Sequence, residues 1–325
     1  MELLLVLGLF GFAYGVVLQR SGFCIARAAL ELFLLRSREA LNGLLAGLCV
    51  ATLGFTVVTA VRAGAGLPAL DHLLVLPFGV ATVVGGVLFG LGMTLAGMCA
   101  AGTLQRLGEG YLVAWASLAG MILGAAFDPF RTLLPTSWQL QSGGFWLGRV
   151  AGAPAAAGVT VAAILMVWLV VRGKPGARPF RLLTPAVLGG VVLGLLNTAQ
   201  VAVATPWTVT YPLGLIPPAL SGSVSATALR GALPLLVLDA GLVLGSAFAT
   251  AARARYRLRW PRRARDVGAA LAGGMLMGWG LQLARGCSIG GGFSALPSLS
   301  ASAWLFLPGL FLGAWIGARA VRRFL

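Results

Sequence analysis

Apolar runs separated by short polar stretches repeat along the entire chain. Runs at 3–19, 41–61, 76–96, 111–127, 150–171, 183–204, 232–252, 268–283 and 301–318 carry few or no charges. About 20 apolar residues in an α-helix cross a hydrocarbon core about 30 Å thick. The pattern therefore predicts an all-α polytopic membrane protein with about nine transmembrane helices.

Two of these runs are nearly the same sequence. Residues 85–102 read GGVLFGLGMTLAGMCAAG and residues 273–290 read GGMLMGWGLQLARGCSIG, at an offset of 188 residues. Gly85, Gly86, Gly90, Gly92, Leu95, Cys99 and Gly102 align with Gly273, Gly274, Gly278, Gly280, Leu283, Cys287 and Gly290. A duplicated apolar helix that ends in a glycine-flanked cysteine points to two copies of one half-fold, each presenting a thiol where its helix breaks.

Charge gives these spans a direction. Arginine and lysine cluster after the first span (Arg20, Arg27, Arg36, Arg38), the fifth (Arg172, Lys174, Arg178, Arg181), the seventh (from Arg253 to Arg265) and the ninth (Arg319, Arg322, Arg323). Every cluster follows an odd-numbered span. One topology, with the N-terminus outside and the C-terminus in the cytoplasm, places all of them inside. The third and eighth spans then run in opposite directions, so the duplicated motifs are inverted. The expected architecture is a 4+1+4 inverted-topology repeat: 1–145 as the first repeat, 146–181 as a linking transmembrane helix and loop, and 182–325 as the second repeat. The connections 20–40, 97–110, 205–231 and 284–300 are rich in Gly, Ser, Thr, Pro or Cys and too apolar for aqueous loops. They read as re-entrant short helices that enter from both faces and form an hourglass. The segment 205–231 contains no cysteine, so the duplication is clear only around Cys99 and Cys287.

Composition agrees. Of 325 residues 59% are hydrophobic and 10% charged, against about 25% charged in soluble domains. The net charge of +16 would suggest nucleic acid in a soluble protein, but here the basic residues sit between apolar runs, and no nucleic-acid partner is expected. No signal-peptide cleavage site follows the first run, which is kept as a membrane helix. The 47 glycines suit close helix packing through small residues, as does the stripe of Gly309, Gly313 and Gly317.

Three of the four cysteines share a setting: Cys24 in RSGFCIARA, Cys99 in LAGMCAAGT and Cys287 in ARGCSIGGG. Each follows a helix and adjoins small residues. Gly22, Gly97, Gly102, Gly286 and Gly290 would let a substrate approach the backbone. Cys49 lies mid-helix in GLLAGLCVATLG and reads as packing. A single free cysteine is as readily a small buried hydrophobe as a ligand, but three in matched settings favour a shared role. Arg285 and Arg106 are candidates for anion attraction at opposite mouths, with snorkelling at the interface as the plainer reading; Arg20 and Arg27 flank Cys24. Asp239 is the one acid inside a predicted span, a candidate for proton coupling or for an ion pair with Arg230 or Arg285. Asn197, Gln200 and Gln282 are either polar groups on the path or helix-to-helix hydrogen bonds. His72, beside Asp71, reads as a surface residue. With one histidine and no Walker A, GxGxxG or HExxH motif, no cofactor and no metal site are expected.

The motifs RSGFCIARA, GMTLAGMCAAGT and GLQLARGCSIGGG resemble those of the YeeE/YedE family of sulfur-transport membrane proteins, over the whole chain. The resemblance implies thiosulfate uptake across the bacterial inner membrane, nine spans in an inverted repeat, and cysteines that contact the substrate, here Cys24, Cys99 and Cys287. It also implies a cytoplasmic sulfur-carrier protein as partner. The chemistry fits. Thiosulfate is a dianion with a soft terminal sulfur. A free thiol titrates near about pH 8.5 and is mostly protonated at neutral pH, so it can donate to the ion where a thiolate would repel it. The expected mechanism is a relay of neutral thiols, each holding the ion weakly. The alternative is a membrane sulfurtransferase that forms a cysteine persulfide and hands sulfur to a carrier. A soft-metal permease is the third reading, weakened by the basic composition and the lack of Met-rich or CxxC clusters.

Overall fold

A computed structural model describes residues 2–65, 74–127, 129, 144–172, 184–220, 225–254, 256–261 and 263–324. His72 and Asp71 lie outside these described residues. The chain folds as α1 (Glu2–Ser21), α2 (Ile25–Leu30) running into a π-helical turn (Glu31–Leu35), α3 (Glu39–Gly64), α4 (Val80–Ala96), α5 (Ala100–Gly108) and α6 (Val113–Ala126). It continues through α7 (Gly148–Ala151), α8 (Ala153–Arg172), α9 (Pro185–Val203), α10 (Thr210–Leu220), α11 (Ala226–Ala251), α12 (Ala264–Ala284), a second π-helical turn (Ser288–Ser294) and α13 (Ala301–Phe324). Eight of the described helical segments are long and apolar enough to cross a membrane, and α6 is a shorter apolar helix. The chain is thus an all-α polytopic membrane protein. All four connections singled out above hold short helical pieces: α2, α5, α10 and the second π turn.

Helices begin and end for local reasons. Pro185 opens α9 behind a Thr184 cap whose hydroxyl accepts from Val187 N at 3.4 Å. Gly97 ends α4 in the left-handed conformation at φ +68°. The first helix ends at Ser21, and α2 starts after the break at Gly22–Cys24.

The strongest helix pairs all join one half of the chain to the other: α1 with α11, α3 with α9, α4 with α12, α4 with α13, and α6 with α12. Glycine makes the approach possible. A Cβ on Gly190 would stand 1.9 Å from Gly43 O, and one on Gly90 would stand 2.0 Å from Leu310 O. Gly309, Gly313 and Gly317 pack on Val83, Val87 and Thr94 of α4, as their stripe predicts.

The contacts also give direction. Gly85 meets Gly280 and Gly92 meets Gly273, so α4 and α12 cross antiparallel. Exchanging the two copies of the duplicated motif turns the first of these contacts into the second. The pairs α1–α11, α3–α9, α4–α13 and α6–α12 all run parallel: Gly11 meets Leu238 and Gly15 meets Leu242, Gly43 meets Ala186 and Gly47 meets Gly190, Gly86 meets Phe306 and Gly90 meets Leu310, Gly120 meets Leu271 and Gly124 meets Met275. With nine alternating crossings, α1 and α11 are the first and seventh, α3 and α9 the second and sixth, α6 and α12 the fourth and eighth. Each parity matches. If α6 did not cross, α1 and α11 would have to run in opposite directions.

The connections pair by face. Tyr111 bridges Arg259, and Leu112 N donates to Arg259 O at 3.2 Å, tying the α5–α6 turn to the arginine-rich segment before α12. Trp146 bridges Ser300, and Leu147 N donates to Leu299 O at 2.9 Å on the other side of the repeat.

Candidate functional site

Cys24, Cys99 and Cys287 occupy the same place in three local structures. Each is the residue before a helical segment, in extended backbone: φ −159°, −89° and −100°. Each lies two residues after a left-handed residue: Gly22 at φ +62°, Gly97 at +68° and Arg285 at +56°. The left-handed residue turns the chain out of one helix, and the cysteine starts the next. The Cys99 sulfur accepts from Gly102 N at 3.4 Å and the Cys287 sulfur from Gly290 N at 3.3 Å, each capping the first turn of its own segment. Cys24 makes no such cap bond. Its sulfur instead stands 3.6 Å from that of Cys99.

The structure thus brings Cys24 and Cys99 together, although 75 residues separate them. Gly102 makes room for the pair, since a Cβ there would lie 3.2 Å from the Cys24 sulfur and 3.6 Å from the Cys99 sulfur. Cys99 and Cys287 are buried and Cys24 is partly so. Ser288, the residue after Cys287, faces Cys99. Its hydroxyl is buried and has no hydrogen-bond partner among the described residues. The break in the second copy therefore reaches the thiol of the first.

The second copy has its own counterpart to the Cys24 position. Gly290 is the repeat equivalent of Gly102, and its missing Cβ faces Thr208, 3.4 Å from Thr208 Cγ2. Thr208 Oγ1 is buried and unpartnered among the described residues. Cys24 beside Gly102 and Thr208 beside Gly290 occupy matching places. Sequence reasoning missed both Thr208 and Ser288. A small hydroxyl at the break between two helices was the available signal, and it was obscured because TPWTVTYPL shares no residue pattern with RSGFCIARA.

Aromatic rings join these breaks. Tyr14 stacks on Trp207 at 4.1 Å between centroids, and Phe293 packs edge-on to Trp207 at 6.2 Å and to Phe23 at 5.9 Å. Asn197 fastens them further: its amide donates to Ser294 Oγ at 3.1 Å and its carbonyl accepts from Trp207 N at 3.0 Å. Gln200 donates to Thr205 O at 2.7 Å, and Gln282 to Ala125 O at 2.9 Å. Hydrogen bonding between and at the ends of helices thus accounts for all three.

The charged candidates separate. Arg106 is half-buried, 5.7 Å from the Tyr111 ring centroid. Arg285 is exposed at the end of α12. Arg27 pairs with Glu31 and donates to Gly22 O at 3.3 Å, within the Cys24 break. Asp239 is buried in α11, and both its carboxyl oxygens lack a hydrogen-bond partner among the described residues. Neither Arg230 nor Arg285, both exposed, forms the ion pair considered for it. Cys49 is half-buried against the core of α3, away from the other thiols. Among the described residues no group of three or more His, Cys, Asp or Glu side chains is placed to hold a metal ion.

Comparison with known proteins identifies the family. The family model described as Sulphur transport matches residues 20–316. The Thiosulfate transporter TsuA of Spirochaeta thermophila is 27% identical over 330 residues, covering 94% of this chain and 96% of that protein. TsuA of Escherichia coli is 26% identical, covering 94% and 91%. A shorter stretch of 90 residues, 26% of this chain, is 38% identical to the Probable transporter YedE of Salmonella typhimurium. The residues matched include all three cysteine motifs and all but the ends of the helical scaffold that holds them, and the chain belongs to the sulfur-transport membrane protein family.

Proposed function

We propose that the chain is an inner-membrane permease for thiosulfate or a closely related small sulfur oxyanion, passed along neutral cysteine thiols. The observation that carries this reading is the meeting of Cys24 and Cys99 at 3.6 Å, with Ser288 of the Cys287 break beside Cys99. Two thiols and a hydroxyl from three helix breaks converge where two inverted halves meet, the place in which such folds hold substrate. The sulfur end of thiosulfate suits a thiol contact, and its oxyanion end suits hydroxyl and amide donors. Contacts of this kind are individually weak, as conduction requires. The names of the two full-length relatives support the choice of anion.

In this proposal the halves 1–145 and 182–325 form opposite mouths, and 146–181 links them. The N-terminus lies outside and the C-terminus inside. Arg106 draws the anion at the inner mouth and Arg285 at the outer one. Asp239, an uncompensated buried carboxyl, is the candidate for proton coupling. A cytoplasmic carrier protein receives the sulfur.

The test is uptake into proteoliposomes of thiosulfate labelled separately in each sulfur. Both labels are expected to arrive together. Cys24→Ala, Cys99→Ala and Cys287→Ala are each expected to abolish uptake with normal insertion, and Cys49→Ala to leave it unchanged. Uptake retained by Cys99→Ala and Cys287→Ala would remove the relay. A persulfide on Cys99 or Cys287, with sulfite left outside, would replace transport with sulfur transfer.

A further inference from the structure

Two cavities away from the thiols share a wall. The first, of about 340 Å³, lies between α3, α8 and α13 and is lined by apolar side chains, including Leu41, Leu45, Ile164 and Leu307. Val167 of α8 and Trp304 of α13, both among its lining residues, are exposed, so the cavity opens between these two helices. Its wall on α8 runs from Ala163 to Val171, about 12 Å of helix. That is most of one leaflet of a core about 30 Å thick. The second cavity, of about 720 Å³, continues past Leu32, Phe33 and Val171 to the end of α13, where Arg36, Arg38, Arg319 and Arg322 line it and, among the described residues, no acid does.

The arginines are held as a receptor. Arg319 lies over the Trp315 ring at 3.6 Å, and Arg322 donates to Phe33 O at 2.9 Å. Arg36 keeps a left-handed backbone at φ +54°. The Arg38 side chain lines the cavity with the other three arginines, and its Nη1 is buried with no hydrogen-bond partner among the described residues. A buried, unpaired guanidinium nitrogen among like charges calls for an anion.

We propose that this double cavity is a binding site for an anionic phospholipid, with an acyl chain in the apolar groove and the phosphate among Arg36, Arg38, Arg319 and Arg322. An apolar, laterally open groove joined to an arginine cluster at its end matches both parts of that molecule. A water-soluble acidic partner could meet the arginines but has no group for a groove facing the bilayer. The site lies apart from the three thiols and does not depend on the substrate assigned to them.

The experiment compares the full-length protein, stripped of lipid in detergent, after adding phosphatidylglycerol, phosphatidylcholine of the same acyl chains, or inorganic phosphate. Retained lipid is read by native mass spectrometry and the unfolding midpoint by thermal scan. Phosphatidylglycerol is expected to be retained and to raise the midpoint; phosphatidylcholine is retained less, and phosphate has no effect. Each arginine removed is expected to lower the preference about fivefold. The variant carrying Arg38→Gln, Arg319→Gln and Arg322→Gln loses the difference between the lipids. Ala163→Phe, which fills the groove and leaves the arginines in place, lowers retention of both lipids. Should the triple variant not fold, Arg319→Gln alone is expected to show the single-step loss. Equal retention of the two lipids by the natural sequence would overturn the proposal. So would an equal effect of phosphate, or a groove variant that separates a dimer and leaves bound lipid unchanged.

Discussion

A methyl group at position 102 would stand 3.2 Å from the Cys24 sulfur and 3.6 Å from that of Cys99. Position 102 is also inside α5, where alanine is favoured over glycine by about 1 kcal/mol. The two effects have different readouts. Gly102→Ala is expected to leave thermal stability unchanged or slightly raised and to cut thiosulfate uptake severely, since the thiols must move apart. Loss of stability and uptake together would make Gly102 a packing residue only. At Thr208 the hydroxyl is the group at issue. Thr208→Val keeps the shape and removes the hydrogen bond that the free hydroxyl would give the ion, worth about 1 kcal/mol, so uptake is expected to fall about fivefold with unchanged insertion. Thr208→Cys restores the missing thiol and should retain most activity. Arg285 holds a left-handed backbone where the first copy has Gly97, a pose that costs a side chain about 1–2 kcal/mol. Arg285→Gly is expected to raise the unfolding midpoint but slow uptake, most visibly at low salt, where charge attraction is strongest. Unchanged uptake at low salt would mark the arginine as an interfacial anchor.

The elements show which parts of the structure could be read from the chain. Spans were legible because hydropathy reports the solvent in which a helix lies, and α4 and α12 were legible because their glycines repeat. The α6 helix is shorter than its apolar run of 111–127, since Gly110 is left-handed at φ +85° and Tyr111 is held by the Arg259 bridge. Partner choice was not legible: a glycine stripe states that a helix will be approached closely, and not by which neighbour. The five pairings between halves thus emerged only in three dimensions. The thiol pair was half legible, since each cysteine motif marked a break, yet nothing in the sequence placed Cys24, rather than Cys287, against Cys99. The glycine contacts between halves are the elements most sensitive to change. A Cβ on Gly190 would lie 1.9 Å from Gly43 O, in backbone that cannot rotate away. Gly190→Val is expected to prevent stable insertion, seen as loss of the detergent-soluble monodisperse species. Gly64→Val at the end of α3, where nothing lies within 4 Å, is expected to be silent.

At the scale of the molecule, the directions of five helix contacts require α6 to cross the membrane, although its 14 residues span only about 21 Å. A short helix can cross where neighbouring protein replaces lipid at its ends, and α6 packs along α12 with Gly120 and Gly124 against Leu271 and Met275. The crossing fixes which loops share a face. With nine crossings, the end of α3 and the end of α9 lie on the same side, and the segment after α11 lies on the other. Without the α6 crossing, the ends of α3 and α9 would lie on opposite sides. Ala65→Cys, Thr205→Cys and Arg253→Cys, at exposed positions, report the three places. A membrane-impermeant maleimide on intact spheroplasts is expected to label the first two, and to reach the third only after the membrane is opened. Labelling of Arg253→Cys in sealed spheroplasts would reverse the orientation assigned from the arginine clusters. Labelling of only one of Ala65→Cys and Thr205→Cys would remove the α6 crossing, and with it the inverted pairing of the two halves.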